Sequence, residues 1–158
     1  MKITLVNQTT FKISESKLQK ILDSVFMLLA KKNIRQIKLL KKTEITCVFL
    51  NKTEMKILNN SFRKKNKPTD VLSFQPLDSN SMGELVFCLD VLTLQAKKQK
   101  HSLSFEFLYM LIHGVLHLLG YDHEASKKEE KVMFLLQDLV FEQLTQVNKN
   151  LNCISLKK

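Results

Sequence analysis

The sequence predicts an α+β fold in a single domain spanning residues 1–158, with four strands set mostly in the first half and packed against about five helices. Three observations support this. The strand-like alternations of apolar and polar residues all fall before residue 92, and the chain beyond it repeats at helical spacing. No glycine-rich loop follows a strand, which removes dinucleotide-binding and P-loop folds. Only three Gly and two Pro leave little room for interdomain linkers, and 158 residues suffice to bury a core.

MKITLVNQT alternates and opens the chain as a strand. Ser14 is placed to cap a helix over residues 14–32, in which Leu18, Ile21, Leu22, Val25, Leu28 and Leu29 recur at helical spacing. IKLLKKTEITCVFLN reads as a strand, with Glu44, Thr46 and Val48 alternating against Ile45, Cys47 and Phe49. Asn51 starts the next helix, NKTEMKILNNSFRKK, and Glu54 three residues later completes a capping-box pattern. Pro68 forces Lys67 into an extended conformation and stops that helix. Val71, Leu72 and Phe74 read as a short strand ended by Pro76. LDSNSMG is a turn cluster, ELVFCLDV the fourth strand and LTLQAKKQK a short helix. Residues 102–120, SLSFEFLYMLIHGVLHLLG, form a helix capped by Ser102 or Ser104. It is apolar nearly all round and therefore buried. The closing helix, SKKEEKVMFLLQDLVFEQLTQ, begins at Ser126 with Glu129 at the capping-box position.

Composition narrows the function classes. Hydrophobic residues make up 44% and charged residues 25%, ordinary values for a globular chain. The longest apolar run, residues 107–121, is shorter than a membrane span and carries two histidines, so no membrane partner is expected. MKITLVNQTTFKIS lacks the apolar core and cleavage site of a secretory leader. Cys47, Cys88 and Cys153 are odd in number and far apart, and read as buried, reduced thiols of a cytoplasmic protein. The net charge of +10 is uneven, with 16 Lys+Arg against 5 Asp+Glu in residues 1–70 and 9 against 10 in residues 71–158. A basic half suits a polyanion, although a lysine-rich solvated surface gives the same count.

Three of the four histidines fall in HGVLHLLGYDH, residues 113–123. On a helix, positions i and i+4 share a face, so His113 and His117 can point two imidazoles at one cation. Gly120 can end the helix in a left-handed turn, after which His123 can return as a third ligand. Zinc proteases with this spacing carry a glutamate base directly after the first histidine. Here that position is Gly114. Three neutral imidazoles leave a tetrahedral ion one position short with its double charge intact, which suits a phosphodiester better than a peptide. Zn2+, one per chain, is expected, and Ni2+, cobalt or copper would accept the same ligands. A structural ion with water in the fourth place remains the alternative. Asp122 and Glu124 flank the third ligand, where each can orient an imidazole or simply be a solvated loop carboxylate. His101 has no patterned partner and reads as a surface residue.

SFRKKNKPTDVLSF, residues 61–74, is the second informative segment. Arg63, Lys64, Lys65 and Lys67 form a basic run that either ends a helix in solvent or guides a nucleic-acid backbone. Arg63 is the best candidate for an anion clamp, because a guanidinium offers phosphate a bidentate fork. Asp70 can support a metal ligand or cap the turn after Pro68.

Taken together, FRKKNKPTDVLSF, GELVF and HGVLHLLGYDH followed by the Met133 helix resemble the YbeY family, bacterial metal-dependent endoribonucleases of ribosomal RNA maturation. The resemblance runs from about residue 55 to 142. It implies an α+β layer of helices around a mixed four-stranded sheet, with the metal in a cleft beside a basic surface. It places the metal ligands on His113, His117 and His123 and the family's essential arginine on Arg63. It further implies a hydrolase that matures the 3′ end of 16S ribosomal RNA and serves ribosome quality control. The implied partners are ribosomal RNA and the small subunit; the lack of a glycine-rich loop leaves no nucleotide cofactor expected, and the expected state is a monomer. Phe62 stands where the family usually has tyrosine, and Glu84-Leu85 where it has Asp-Ile. A non-catalytic ribosome-assembly factor with a structural metal is the competing expectation.

Overall fold

The alternation along the strands sorts their side chains onto two faces, and each face is roofed by different helices. A computed structural model describes residues 2–32, 34, 44–147 and 152–156. In it β1 (Lys2–Asn7), β3 (Glu44–Phe49) and β5 (Ser81–Phe87) run parallel, and β4 (Val71–Phe74) pairs antiparallel with β5 at one edge. The order is β1-β3-β5-β4, the mixed four-stranded sheet expected. Five helices accompany it among the described residues: α1 (Glu15–Lys31), α2 (Lys52–Arg63), α3 (Leu89–Gln99), α4 (Leu103–Leu118) and α5 (Lys127–Val147).

Ile45, Cys47 and Phe49 of β3 and Leu85 and Phe87 of β5 face the main core, where they meet α1, α4 and α5. The opposite face presents Val48, Leu72, Phe74 and Val86, which pack with Met55 and Leu58 of α2. α2 therefore lies on the far side of the sheet from α4. The Asn51 cap was legible: its side chain accepts from the Thr53 and Glu54 backbone N–H groups, and Glu54 returns to the Asn51 N–H. The buried α4 also appears as expected, with Ser102 accepting from the Phe105 N–H at its start. Its surroundings on α3, α5, β4 and β5 explain why it is apolar on nearly every side.

The structure corrects three boundaries. ELVFCLDV is not one strand: β5 begins earlier, at Ser81, and ends at Phe87, and Leu89 already belongs to α3. The Cys88 carbonyl accepts from the Val91 and Leu92 N–H groups, so the helix claims residues that alternate like a strand. Of the strand expected over residues 37–51, residues 37–43 lie outside the described set, and β3 covers Glu44–Phe49. A second, two-stranded antiparallel sheet joins β2 (Phe11–Ile13) to β6 (Ile154–Leu156), and neither strand was anticipated. All three cysteines are buried and free. Burial pushes the Cys47 thiol up to about 12, with Cys153 nearby adding to the effect. Both are thus packed thiols and not ligands or nucleophiles.

Candidate metal centre

α4 carries His113 and His117 one turn apart, facing the same way. Gly120, at φ 81°, ends the helix in the left-handed conformation, and the Tyr121 N–H closes the turn on the Leu116 carbonyl. Asp122 then accepts the Glu124 backbone N–H at 2.8 Å, which shapes the loop that brings His123 back. One donor atom from each histidine lies within 4.8 Å of the other two. Nε2 of His113 and Nε2 of His117 approach to 3.1 Å, so both lone-pair positions converge on one point. The separations and the all-imidazole donor set fit a single divalent ion.

The tautomer of His113 follows from its neighbours. Gln137 of α5 donates its side-chain amide to the Tyr109 carbonyl at 3.2 Å, which turns its Oε1 toward His113. His113 Nδ1 must then donate to that oxygen, at 3.0 Å, which leaves Nε2 deprotonated and aimed at the shared point. Gln137 is fully buried, so no water competes. Phe134, one turn earlier on α5, lies along His113 and His123 with ring centroids 6.2 and 5.6 Å away. Burial lowers the pKa of His117 to about 4, and His113 and His123 beside it act in the same direction. Burial likewise lowers that of His113, against the Gln137 hydrogen bond. Both imidazoles are therefore neutral and ready to ligate at ordinary pH.

The three histidines open into a cleft of about 630 Å³, which Arg63 also lines. The guanidinium crosses the β4 edge from the end of α2 and donates to Glu124 Oε1 at 2.8 Å, one residue beyond His123. Glu124 is thus the anchor of Arg63 and not a free loop carboxylate. Asp70 lines the same cleft, but its oxygens accept from the Val71 N–H, the Thr69 hydroxyl and the Gln95 amide. It caps the turn after Pro68 and reaches His113 only through its field. Lys64 adopts φ 56° and caps α2, with Lys65 and Lys67 exposed beside it. These three flank the cleft without lining it.

Gly114 has a packing reason. A Cβ there would stand 2.7 Å from Leu85 Cδ2 and 3.4 Å from the Ser73 hydroxyl, so the residue faces the sheet at close approach. His101 also departs from expectation. It is not a free surface residue: Nε2 meets the buried Glu106 at 2.9 Å, on the opposite side of the Ser102 cap. Sequence reasoning missed Gln137 and Phe134 altogether. A polar residue at 137 within the stripe Met133, Val140, Phe141 and Leu144 was the available signal for the first.

An α+β chain with three convergent imidazoles on a helix and its following loop, in an open cleft that an arginine also lines, defines a protein with a three-histidine group able to hold a metal ion. The chain belongs to the family described as Endoribonuclease YbeY, whose model matches residues 4–145. Curated relatives of that name include one from Bdellovibrio bacteriovorus, 42% identical over 91% of this chain and 95% of its own. One from Acinetobacter baumannii is 34% identical over 94% and 96%. A solution structure of a Thermotoga maritima protein superposes with a TM-score of 0.63 at 26% identity, covering 92% of this chain and 90% of that one. Among the described residues no helix is long and apolar enough to cross a membrane.

Proposed function

We propose that residues 1–158 act as one metal-dependent endoribonuclease domain that cuts single-stranded RNA, maturing the 3′ end of 16S ribosomal RNA and serving ribosome quality control. It works as a cytoplasmic monomer on ribosomal RNA and the small subunit, with Zn2+ as the resident ion. The relatives' shared name assigns them RNA cleavage, and family membership carries that reading to this chain. The observation that supports it most is the presence of Arg63 in the same cleft as the three histidines.

His113, His117 and His123 would hold the ion, which when bound supplies Lewis-acid polarisation of a phosphate and an activated nucleophile near neutral pH. Gln137 keeps the His113 lone pair directed inward. Arg63 has one nitrogen engaged by Glu124 and keeps its other N–H donors for a phosphate oxygen, where they stabilise charge that grows toward the transition state. Glu124 holds the guanidinium at the cleft through an exposed pair, a modest and salt-sensitive restraint. Lys64, Lys65 and Lys67 draw the backbone along the α2–β4 loop, giving affinity that weakens steeply with salt. The test is a precursor ribosomal RNA fragment incubated with chelator-stripped chain and with chain reloaded with zinc or nickel. Cleavage restored by metal and lost in His117→Ala supports the proposal. Equal RNA binding with no cleavage under any metal would favour the assembly-factor reading.

A further inference from the structure

Phe62 precedes Arg63 on the last turn of α2, and its side chain is 65% exposed. Single exposed apolar residues are ordinary on a protein surface, so its meaning rests on its neighbours. The ring is not loose. It packs against Phe74 in a T-shaped pair with centroids 4.8 Å apart and planes 69° from parallel, so a second ring steadies it while most of its surface stays open. Consecutive helix positions diverge by about 100°, which sends Arg63 across the β4 edge into the cleft and leaves Phe62 outside that edge. Lys64, Lys65 and Lys67 follow at once, so the exposed ring adjoins a run of four cations in five residues, 63–67.

We infer that Phe62 is a stacking platform for an unpaired nucleobase of the strand whose phosphate lies at Arg63. The inference rests on the RNA reading of the cleft and adds to it a residue that selects single strands. A phenyl ring flanked by cations matches a base flanked by phosphates in both chemistry and charge, and stacking of this kind tolerates any base. Bases in a duplex cannot reach the ring, so the platform supplies a physical cause for single-strand preference. Phe62 is a positioning residue here, and it touches no reacting atom.

The sequence contains no tryptophan, so Phe62→Trp in the full chain introduces a single fluorophore at the platform. A short single-stranded RNA should quench it saturably, whereas the same strand made abasic should bind without quenching. Phe62→Ala should weaken binding of the intact strand about 5- to 100-fold, and Phe62→Tyr should stay near wild type. The slope of log Kd against log salt should be unchanged in Phe62→Ala, because stacking releases no counterions. A displaced lysine run would change it. Unaltered affinity in Phe62→Ala, or an unquenched tryptophan on a chain that binds RNA, would overturn the platform alone. A wild-type chain that binds no RNA would overturn the RNA reading of the cleft and the platform with it.

Discussion

Replacing Gln137 with leucine removes the group that fixes the His113 tautomer while keeping side-chain volume nearly constant. Two hydrogen bonds go: the one His113 Nδ1 donates at 3.0 Å and the one Gln137 donates to the Tyr109 carbonyl at 3.2 Å. The Tyr109 carbonyl lies inside α4 and keeps its helical partner, so the stability cost is about 0–1.5 kcal/mol. The larger loss is at the ion. With Nδ1 left without an acceptor in a dry site, the imidazole can put its proton on Nε2 and lose the ligating lone pair. Losses of hydrogen-bond partners behind ligating histidines weaken metal binding by about 10–100-fold, or about 1.4–2.8 kcal/mol. Zinc affinity measured by competition with a chromophoric chelator reads this directly, with thermal unfolding as the check on folding. A Gln137→Leu chain that folds and binds zinc as tightly as wild type would refute the tautomer argument.

Substitutions at three other positions have equally defined outcomes. Gly114→Ala should lose up to about 2 kcal/mol in denaturant unfolding, since the clash with Leu85 exceeds the helix-propensity gain of about 1 kcal/mol. Gly114→Glu should be worse and gain no peptidase activity. Asn51→Ala should cost about 1 kcal/mol by unmaking the α2 cap while leaving zinc affinity unchanged. In metal-free protein, His117 titrates at about 4 when folded and near 6.5 when unfolded, so the unfolded chain binds more protons between those values. Its contribution to stability is present above pH 6.5 and is lost as pH falls through that window, whereas Glu106, raised by burial, acts with the opposite sign. Thermal midpoints against pH should therefore fall less steeply in His117→Asn than in wild type.

Local features were legible because their causes are local. The helical repeat of residues 14–32, the Asn51–Glu54 box and the spacing of His113, His117 and Gly120 each depend on residues within a turn or two. What escaped depends on distance in sequence. Phe11–Ile13 and Ile154–Leu156 are three-residue strands that exist only because they pair with each other from opposite ends of the chain. Arg63 and Glu124 are separated by 61 positions, and no local pattern joins them. The start of α3 was misread because Leu85, Phe87 and Leu89 alternate as a strand would. Only the extended Cys88 cap, with Asp90 in the first turn, marks the change. Gly114 looked like a base removed from a protease motif, yet a Cβ there would stand 2.7 Å from Leu85 Cδ2, so glycine lets α4 approach the sheet without moving that leucine.

The central claim is that Arg63 and the three-histidine centre act on one phosphate. The most direct measurement is the single-turnover cleavage rate of a single-stranded ribosomal RNA precursor by zinc-loaded Arg63→Ala, with its metal content determined in the same sample. Full zinc occupancy is expected with a rate lower by about 10²–10³, from the loss of a preorganised charge donor. A zinc-replete Arg63→Ala chain that cleaves at the wild-type rate would contradict the claim.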